Sequence, residues 1–334
     1  MRVELVVLAG FFIWCSLLVG NSSAAIGNHL HAGFYRYSCP QAEKIAGDVA
    51  KEVLGADPTL AASILRLFFH DCFVNGCDAS ILLDTTKSGE PVEKTSPANG
   101  KTLRGFEMID EIKARIETAC PGIVSCADIL AFATRDATVF SGLPNFIVPA
   151  GRRDGLASRA TDVIGNIPFP TMTVAEMTKI FTRKGMTVDE MVVLTGAHSI
   201  GRAQCDFFDY RLYNYSENEA RDPRMEAAYG HYLSVHCPPL LPGQERGEIQ
   251  VNFDPSTPLR LDNSFYLRLK EGRVLLKSDQ DMADDPTTRD LVRRMGTEPR
   301  LWSRSFTRAM VRLSRLDVLT GNTGEIRRNC RAVN

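Results

Sequence analysis

The sixteen residues from Leu65 to Ser80 constrain this chain more than any other stretch. They read Leu65-Arg66-Leu67-Phe68-Phe69-His70-Asp71-Cys72-Phe73-Val74-Asn75-Gly76-Cys77-Asp78-Ala79-Ser80. Ala61 to Phe69 is rich in Leu, Ile, Phe and Ala and lacks Gly and Pro, so it reads as a buried helix. Arg66 and His70 stand four apart and share one face of that helix. A cation and an imidazole on an apolar face are expensive to bury without a task. The bland reading is an ordinary buried Arg beside a satisfied core His. The residues after His70 change the balance. Asp71, Asp78 and Ser80 supply side-chain oxygens, and Val74 and Gly76 offer carbonyls. Hard oxygen donors at short, irregular spacing around a Gly suit calcium, although the spacing is not that of an EF-hand. The competing reading of the loop is a solvated acidic turn. Cys72 and Cys77 flank it and can pin it with a short disulfide.

Taken together, Arg66 to Ser80 closely resembles the distal haem motif of the secretory plant peroxidases, the class III haem peroxidase family. The motif is long and mixed in residue type, so chance is a poor explanation. The resemblance continues over about residues 33–334. It implies a mainly α, two-lobed fold with one haem b between the lobes, four disulfides and two calcium ions.

Residues 1–25 stand apart from this domain. Arg2 precedes the apolar run Leu5–Gly20, and Ser22-Ser23-Ala24-Ala25 offers small residues for cleavage. That pattern reads as a secretory signal peptide, leaving 26–334 as the peroxidase domain. A membrane anchor is the runner-up, but the run is shorter than the ~20 residues a span needs. No second long apolar run is present, so no membrane span is expected after cleavage. The formal charge of −1 gives no reason to expect nucleic acid or an anionic membrane as a partner.

Nine cysteines are present, and Cys15 leaves with the signal. An even remainder in a secreted chain implies disulfides, but eight cysteines allow 105 pairings. The resemblance selects one of them: Cys39 with Cys120, Cys72 with Cys77, Cys126 with Cys330, and Cys205 with Cys237. A zinc site is disfavoured by the spacings.

Helical patterns are expected over Ala42 to Leu54, Arg104 to Ala119, Ser125 to Phe140, Thr173 to Lys184 and Val188 to Leu194. They resume over Asn263 to Lys270, Thr287 to Met295 and Leu301 to Leu316. Residues 85–104 are polar, contain Gly and Pro, and read as a long surface loop. No alternating run is long enough for a substantial sheet. Asp128 falls in an apolar helix and needs a partner; the resemblance offers Arg152, as a structural ion pair.

The second informative stretch runs Leu194-Thr195-Gly196-Ala197-His198-Ser199-Ile200-Gly201-Arg202. One His among small residues is weak evidence alone. The stretch resembles the family's proximal motif, which makes His198 the iron ligand. A metal-bound His usually donates its other ring proton to an acceptor, and the resemblance names Asp279. The bland reading of Asp279 is a helix N-cap, since a helix can follow. The resemblance also implies a second calcium site from Ser199, Asp254, Thr257, Arg260 through its carbonyl, and Asp262. Ser199 keeps the hydroxyl of a position where Thr is commoner.

The same resemblance assigns His70 as acid–base catalyst and Arg66 as a fixed positive charge. It gives Asn99 as the group that orients His70, Phe69 as a shield over the pocket, and Pro168 as a substrate-side residue. The reaction implied is reduction of hydrogen peroxide while phenols or similar aromatic donors lose one electron each. Ile167, Phe169, Val274, Trp302 and the segment 244–248 depart from the usual pattern, and the first two leave donor preference open. His29, His31, His231 and His236 carry no motif and read as surface or structural. Asn214-Tyr215-Ser216 is an N-glycosylation sequon; Asn21 heads another inside the signal region. A monomer in the extracellular space or cell wall is expected, rather than the vacuole. Two other classes compete: a catalytically silent secreted binding or structural protein on this scaffold, and a calcium-binding wall protein whose haem is incidental. Loss of Arg66, His70 or His198 would favour them, and all three are present.

Overall fold

The structure is a computed structural model that describes residues 30–99, 102–240 and 247–334. The expectations for residues 1–25, His29 and the segment from Gln244 to Arg246 lie outside the described residues.

Four helices form the amino-terminal group: α1 (Ala42–Ala56), α2 (Leu60–Val74), α3 (Phe106–Ala119) and α4 (Cys126–Phe140). Helix α1 buries Ala42, Ala46, Val49, Ala50 and Leu54, a stripe at three- and four-residue spacing that faces α4 and α3. Helix α2 buries Ile64, Leu67, Phe68 and Phe73 against α4. Each such side chain contributes roughly 1.5–3 kcal/mol on burial. The helix runs past Phe69 to Val74 because Cys72, Phe73 and Val74 are buried too. His70 and Asp71 are therefore helical. Helix α4 starts at Ser125, whose hydroxyl accepts from the Asp128 amide at 3.1 Å. The expected partner of Asp128 is present: Arg152 Nη1 lies at 2.6 Å, with both side chains fully buried. The Tyr35 hydroxyl and the Gly151 amide, each at 2.7 Å, complete the shell of that carboxylate.

After the one-turn α5 (Ala160–Val163), the carboxyl-terminal group holds α6 (Val174–Arg183), α7 (Val188–Thr195), α8 (Ala227–His236), α9 (Ser264–Glu271), α10 (Lys277–Asp284), α11 (Arg289–Thr297) and α12 (Pro299–Leu313). Thr173 with Glu176, and Thr187 with Glu190, form capping boxes that start α6 and α7. The helices in closest contact pair within one group or the other, α1 with α3 and α4, and α7 with α6, α11 and α12. This is the two-lobed arrangement. Among the described residues the only sheet is β1 (Arg202–Gln204) antiparallel to β2 (Gln250–Asn252), with Ala203 opposite Val251.

Besides the longer α2, three features differ from the sequence expectation. Helix α8 gave no helical signal because Gly230 interrupts it, yet Arg221 packs 2.8 Å from where a Cβ there would sit. Tertiary contact overrides the local preference. Helix α10 encloses Asp279 in its first turn, so this residue is not an N-cap; Leu276 holds that place. The loop 85–104 is not wholly at the surface, since Val92, Glu93, Ser96 and Asn99 are buried.

All four expected disulfides are formed. Cys126–Cys330 closes a separation of 204 residues. In the chain-entropy model a loop of that size is worth on the order of 5 kcal/mol.

Candidate active site

A cavity of about 470 Å³ opens between α2 and the chain that leaves α7. Arg66, Phe69 and His70 stand on one wall, and Leu194, Ala197, His198, Ile200 and Gly201 on the other. Met177, Phe181, Leu276, Phe306 and Leu313 make the interior apolar. Thr59, Ser63, Thr102, Arg104, Arg202 and Gln204 supply polar groups along its edge. Ile167, Pro168 and Phe169 also border it, with Phe169 38% exposed.

His70 is buried, and its Nδ1 lies 2.5 Å from Asn99 Oδ1. The Asn99 amide nitrogen donates to the Glu93 carbonyl at 2.6 Å, which fixes its oxygen toward the ring. Nδ1 must then carry the proton, and Nε2 keeps a free lone pair. Burial, reinforced by the charge of Arg66, lowers the His70 pKa to about 3, so the ring is neutral at working pH. Arg66 donates to the Thr102 hydroxyl at 2.9 Å and to the Asn99 carbonyl at 3.2 Å. Burial lowers its pKa to about 10, which still leaves it charged near neutrality. Phe69 stacks on Phe73 at 4.2 Å between ring centres, closing that side.

On the opposite wall His198 Nδ1 lies 3.0 and 3.2 Å from the two oxygens of buried Asp279. This again leaves Nε2 as the available nitrogen. Phe253 stacks on the ring at 4.4 Å and 5°, and Phe265 meets it edge-on at 6.0 Å. Two residues earlier, a Cβ on Gly196 would lie 2.6 Å from both the Tyr266 hydroxyl and Trp302 Nε1. Those two groups hydrogen-bond each other at 3.0 Å and brace the segment that carries His198.

The donor set fits haem. The cavity is lined mainly by apolar side chains with polar groups among them, Ala197 and Gly201 flank His198 closely in sequence, and that histidine offers one free imidazole nitrogen backed by a carboxylate.

The calcium residues also gather in two places. Asp71 accepts from the Ala79 amide at 3.0 Å, and Asp78 from the Ser80 amide at 2.9 Å. Burial pushes both carboxyls up, Asp78 to about 6. No hydrogen bond of ordinary geometry reaches the buried Ser80 hydroxyl or either Glu93 carboxylate oxygen. A hard cation would satisfy this surplus of oxygen. The Val74 carbonyl accepts from Lys184 at 2.7 Å and the Gly76 carbonyl from the Asp78 amide at 2.8 Å, each on one lone pair. Near His198, the Ser264 hydroxyl is drawn between Asp254 and Asp262. It has one proton for two carboxylates. Ser199 Oγ accepts from the Asp262 amide at 3.1 Å, and the Thr257 hydroxyl lies 3.3 Å from Asp262. The Arg260 side chain is exposed, with its Nε 3.8 Å from Asp262 Oδ2. Among the described residues no three His, Cys, Asp or Glu side chains are gathered as a metal site. Each set here brings two carboxylates and is completed by hydroxyl and carbonyl oxygen.

A family model described as Peroxidase matches residues 46–298. The chain belongs to the peroxidase family. It is similar to Peroxidase 5 of Vitis vinifera, 45% identical over 312 residues that cover 93% of this chain and 94% of that one. It is 44% identical to Peroxidase 57 of Arabidopsis thaliana over 305 residues, 91% and 93% of the two chains. Peroxidase 1 of Zea mays is 40% identical over 323 residues, 96% and 86%. The protein is thus a plant peroxidase of the class III type, an enzyme whose cofactors are haem and calcium.

Several parts of this peroxidase site escaped the sequence reading. Phe253 and Phe181 carry no motif, and Thr102 looked like loop. Glu93 sat in a polar stretch, where an acid normally means solvent. Its one signal was proximity to Asn99, six residues on.

Proposed function

We propose that this secreted enzyme uses His70, Arg66 and Asn99 to cleave hydrogen peroxide and His198 to hold the haem iron. One observation carries the reading. Two histidines face one cavity from opposite walls, each tied at Nδ1 by a buried oxygen and each free at Nε2. Haem, when bound, supplies an iron that takes two oxidising equivalents from peroxide and returns them one electron at a time.

The protein's own part is proton handling and charge. His70 Nε2 takes a proton from the near peroxide oxygen and hands it to the far one, acting first as base and then as acid. Arg66 stabilises the charge that develops on the departing oxygen. Asn99 holds the tautomer that leaves Nε2 basic. Asp279 draws on the Nδ1 proton of His198 and raises the donor strength of its Nε2. Asp71, Asp78 and Ser80, with the Val74 and Gly76 carbonyls, hold one calcium directly after His70 in the chain. Ser199, Asp254, Thr257, Asp262 and the Arg260 carbonyl hold the other directly after His198. Aromatic donors approach past Pro168 and Phe169, while Phe69 keeps bulky molecules from His70.

Both histidines belong to one chain, so a monomer suffices. Four disulfides agree with an oxidising compartment. Among the described residues no helix is long and apolar enough to cross a membrane. We read residues 1–25 as a signal peptide and the exposed Asn214 as its glycan acceptor, with the wall as destination.

The test compares two variants. His198→Ala should lose haem or change the resting absorption spectrum. His70→Ala should keep haem and slow its reaction with peroxide by at least ~100-fold. Haem lost from His70→Ala and held normally by His198→Ala would reverse the two faces.

A further inference from the structure

Trp302 is one of two tryptophans in the chain; the other is Trp14, in the apolar run at the amino end. Trp302 departs from the family's usual pattern, and it takes no part in the proton handling given to His70, Arg66 and Asn99. Its side chain is 1% exposed, as is that of Tyr266. The indole Nε1–H donates to the Tyr266 hydroxyl at 3.0 Å and also faces the Val193 carbonyl at 3.4 Å. The Tyr266 hydroxyl lies 2.9 and 3.0 Å from the carbonyls of Val192 and Val193 and donates its one proton there.

The pair stands directly behind the wall that carries His198. Thr195 and Ala197 line the cavity, and the two side chains press on the backbone at Gly196 between them. Aromatic rings join the pair to the cavity by two routes. Phe306, one turn along α12, lines the cavity with its ring centre 5.3 Å from that of Trp302. On the other route His198 meets Phe265 at 6.0 Å, Phe265 meets Tyr266 at 5.2 Å, and Tyr266 meets Trp302 at 6.2 Å. All are contact spacings for aromatic rings. Electrons pass readily between π-systems in contact, since no bond breaks and the chain need not move.

Of the two side chains, the indole is the one able to give up an electron here. An oxidised phenol must shed its proton, and the Tyr266 hydroxyl faces only carbonyls and an indole N–H, none of them a base. Burial holds its pKa well above the ordinary phenol range, and the charge of Asp279 adds to that. An oxidised indole keeps its N–H. Its positive charge then meets two oxygens at Nε1, and the Asp279 carboxylate acts on the pair through an interior where charges are weakly screened. A buried cation is costly without such company.

We propose that Trp302 is a redox-active residue that holds one oxidising equivalent when no aromatic donor is at the edge of the cavity. The proposal rests on haem lying between His70 and His198. The peroxidase reaction leaves the site short of two electrons for each peroxide. Trp302 supplies one of them and becomes an indole cation radical; no bond is made or broken at the indole, and no proton leaves it. Two donor molecules later give one electron each, and one of these returns to the indole by the same contacts.

The test mixes haem-loaded enzyme with peroxide and no donor, freezes it, and records electron paramagnetic resonance beside the absorption spectrum. Wild type should give an organic radical signal that narrows when the protein is made with ring-deuterated tryptophan. Trp302→Phe should lose that signal and keep the resting haem spectrum. Tyr266→Phe keeps the indole and should keep the signal, with an altered splitting. A signal that survives in Trp302→Phe, or one narrowed by ring-deuterated tyrosine and not by tryptophan, overturns the proposal. Loss of the signal from both variants alike also overturns it, because packing beside Gly196 would then be the cause. If wild type forms no radical while peroxide still shifts the Soret band, the proposal falls and the reading of His70 and His198 stands. If the Soret band does not respond to peroxide at all, that reading falls, and the proposal with it.

Discussion

Replacing Asn99 by Ala tests how the distal histidine is tuned. Asn99 is fully buried and joins two groups. Its oxygen accepts the His70 Nδ1 proton at 2.5 Å, and its amide donates to the Glu93 carbonyl at 2.6 Å. Truncation leaves one buried donor and one buried acceptor without partners. Each costs about 1–3 kcal/mol, so global stability should fall by about 2–6 kcal/mol, the lower end if water enters. The effect on rate has a separate origin. Burial and Arg66 both lower the basicity of His70, and the bond to Asn99 is the contribution that raises it. Without that bond the ring is free to turn, and its Nε2 becomes a poorer base. Positioned proton transfer contributes roughly 100- to 10,000-fold, and part of it survives because the ring remains in place. The peroxide reaction should slow by roughly 10–100-fold, equivalent to about 1.4–2.7 kcal/mol. Asn99→Asp restores an acceptor for Nδ1 and should recover much of the rate. Stopped-flow absorbance on haem-loaded protein measures the rate, and thermal unfolding measures the stability. A normal rate in Asn99→Ala, beside a collapsed rate in His70→Ala, would refute the tautomer argument.

Three further outcomes are expected. Asp128→Ala strands the buried Arg152 guanidinium and should cost about 3–5 kcal/mol in denaturant unfolding, with the resting haem spectrum retained in the folded fraction. Because the folded pKa of His70 is about 3, below the unfolded 6.5, the unfolded chain binds the extra proton between those values. His70 therefore adds a loss of stability only as pH falls below about 6.5, and the peroxide step at saturating calcium should show no acid limb near pH 6–7; such a limb in a pH–rate profile counts against a neutral, buried base. Chelation under mild denaturant should slow the peroxide reaction before the protein unfolds, because Asp71 directly follows His70; an unchanged rate with both calcium ions shown by metal analysis to be absent removes this coupling.

Much of the helical framework was legible because each element buries a face of its own sequence. The stripes of α1 and α3, and the near-uniform apolarity of α2 and α4, are local properties, and these helices formed close to their expected bounds. The end of α2 was misjudged because burial of Phe73 and Val74 depends on what the helix packs against, not on its own pattern. The loop holding Glu93 and Asn99 was misjudged for the same reason: its polar side chains are buried by serving His70 and the oxygen-rich pocket beside Asp71.

The sequence by itself determined that Arg66 and His70 share a face, since four residues make about one helical turn. It also placed hard oxygen donors directly after His70. It could not choose among the cysteine pairings from spacing; the likeness to a known family did that, and the fold agrees. The same likeness named Asp279 as the partner of His198, and the fold brings the two together across 81 residues. Only the tertiary structure decided that Phe253 stacks on that ring and that Tyr266 and Trp302 fill the space beside Gly196. Such facts depend on which surfaces meet at long separation along the chain, and local periodicity carries no record of that.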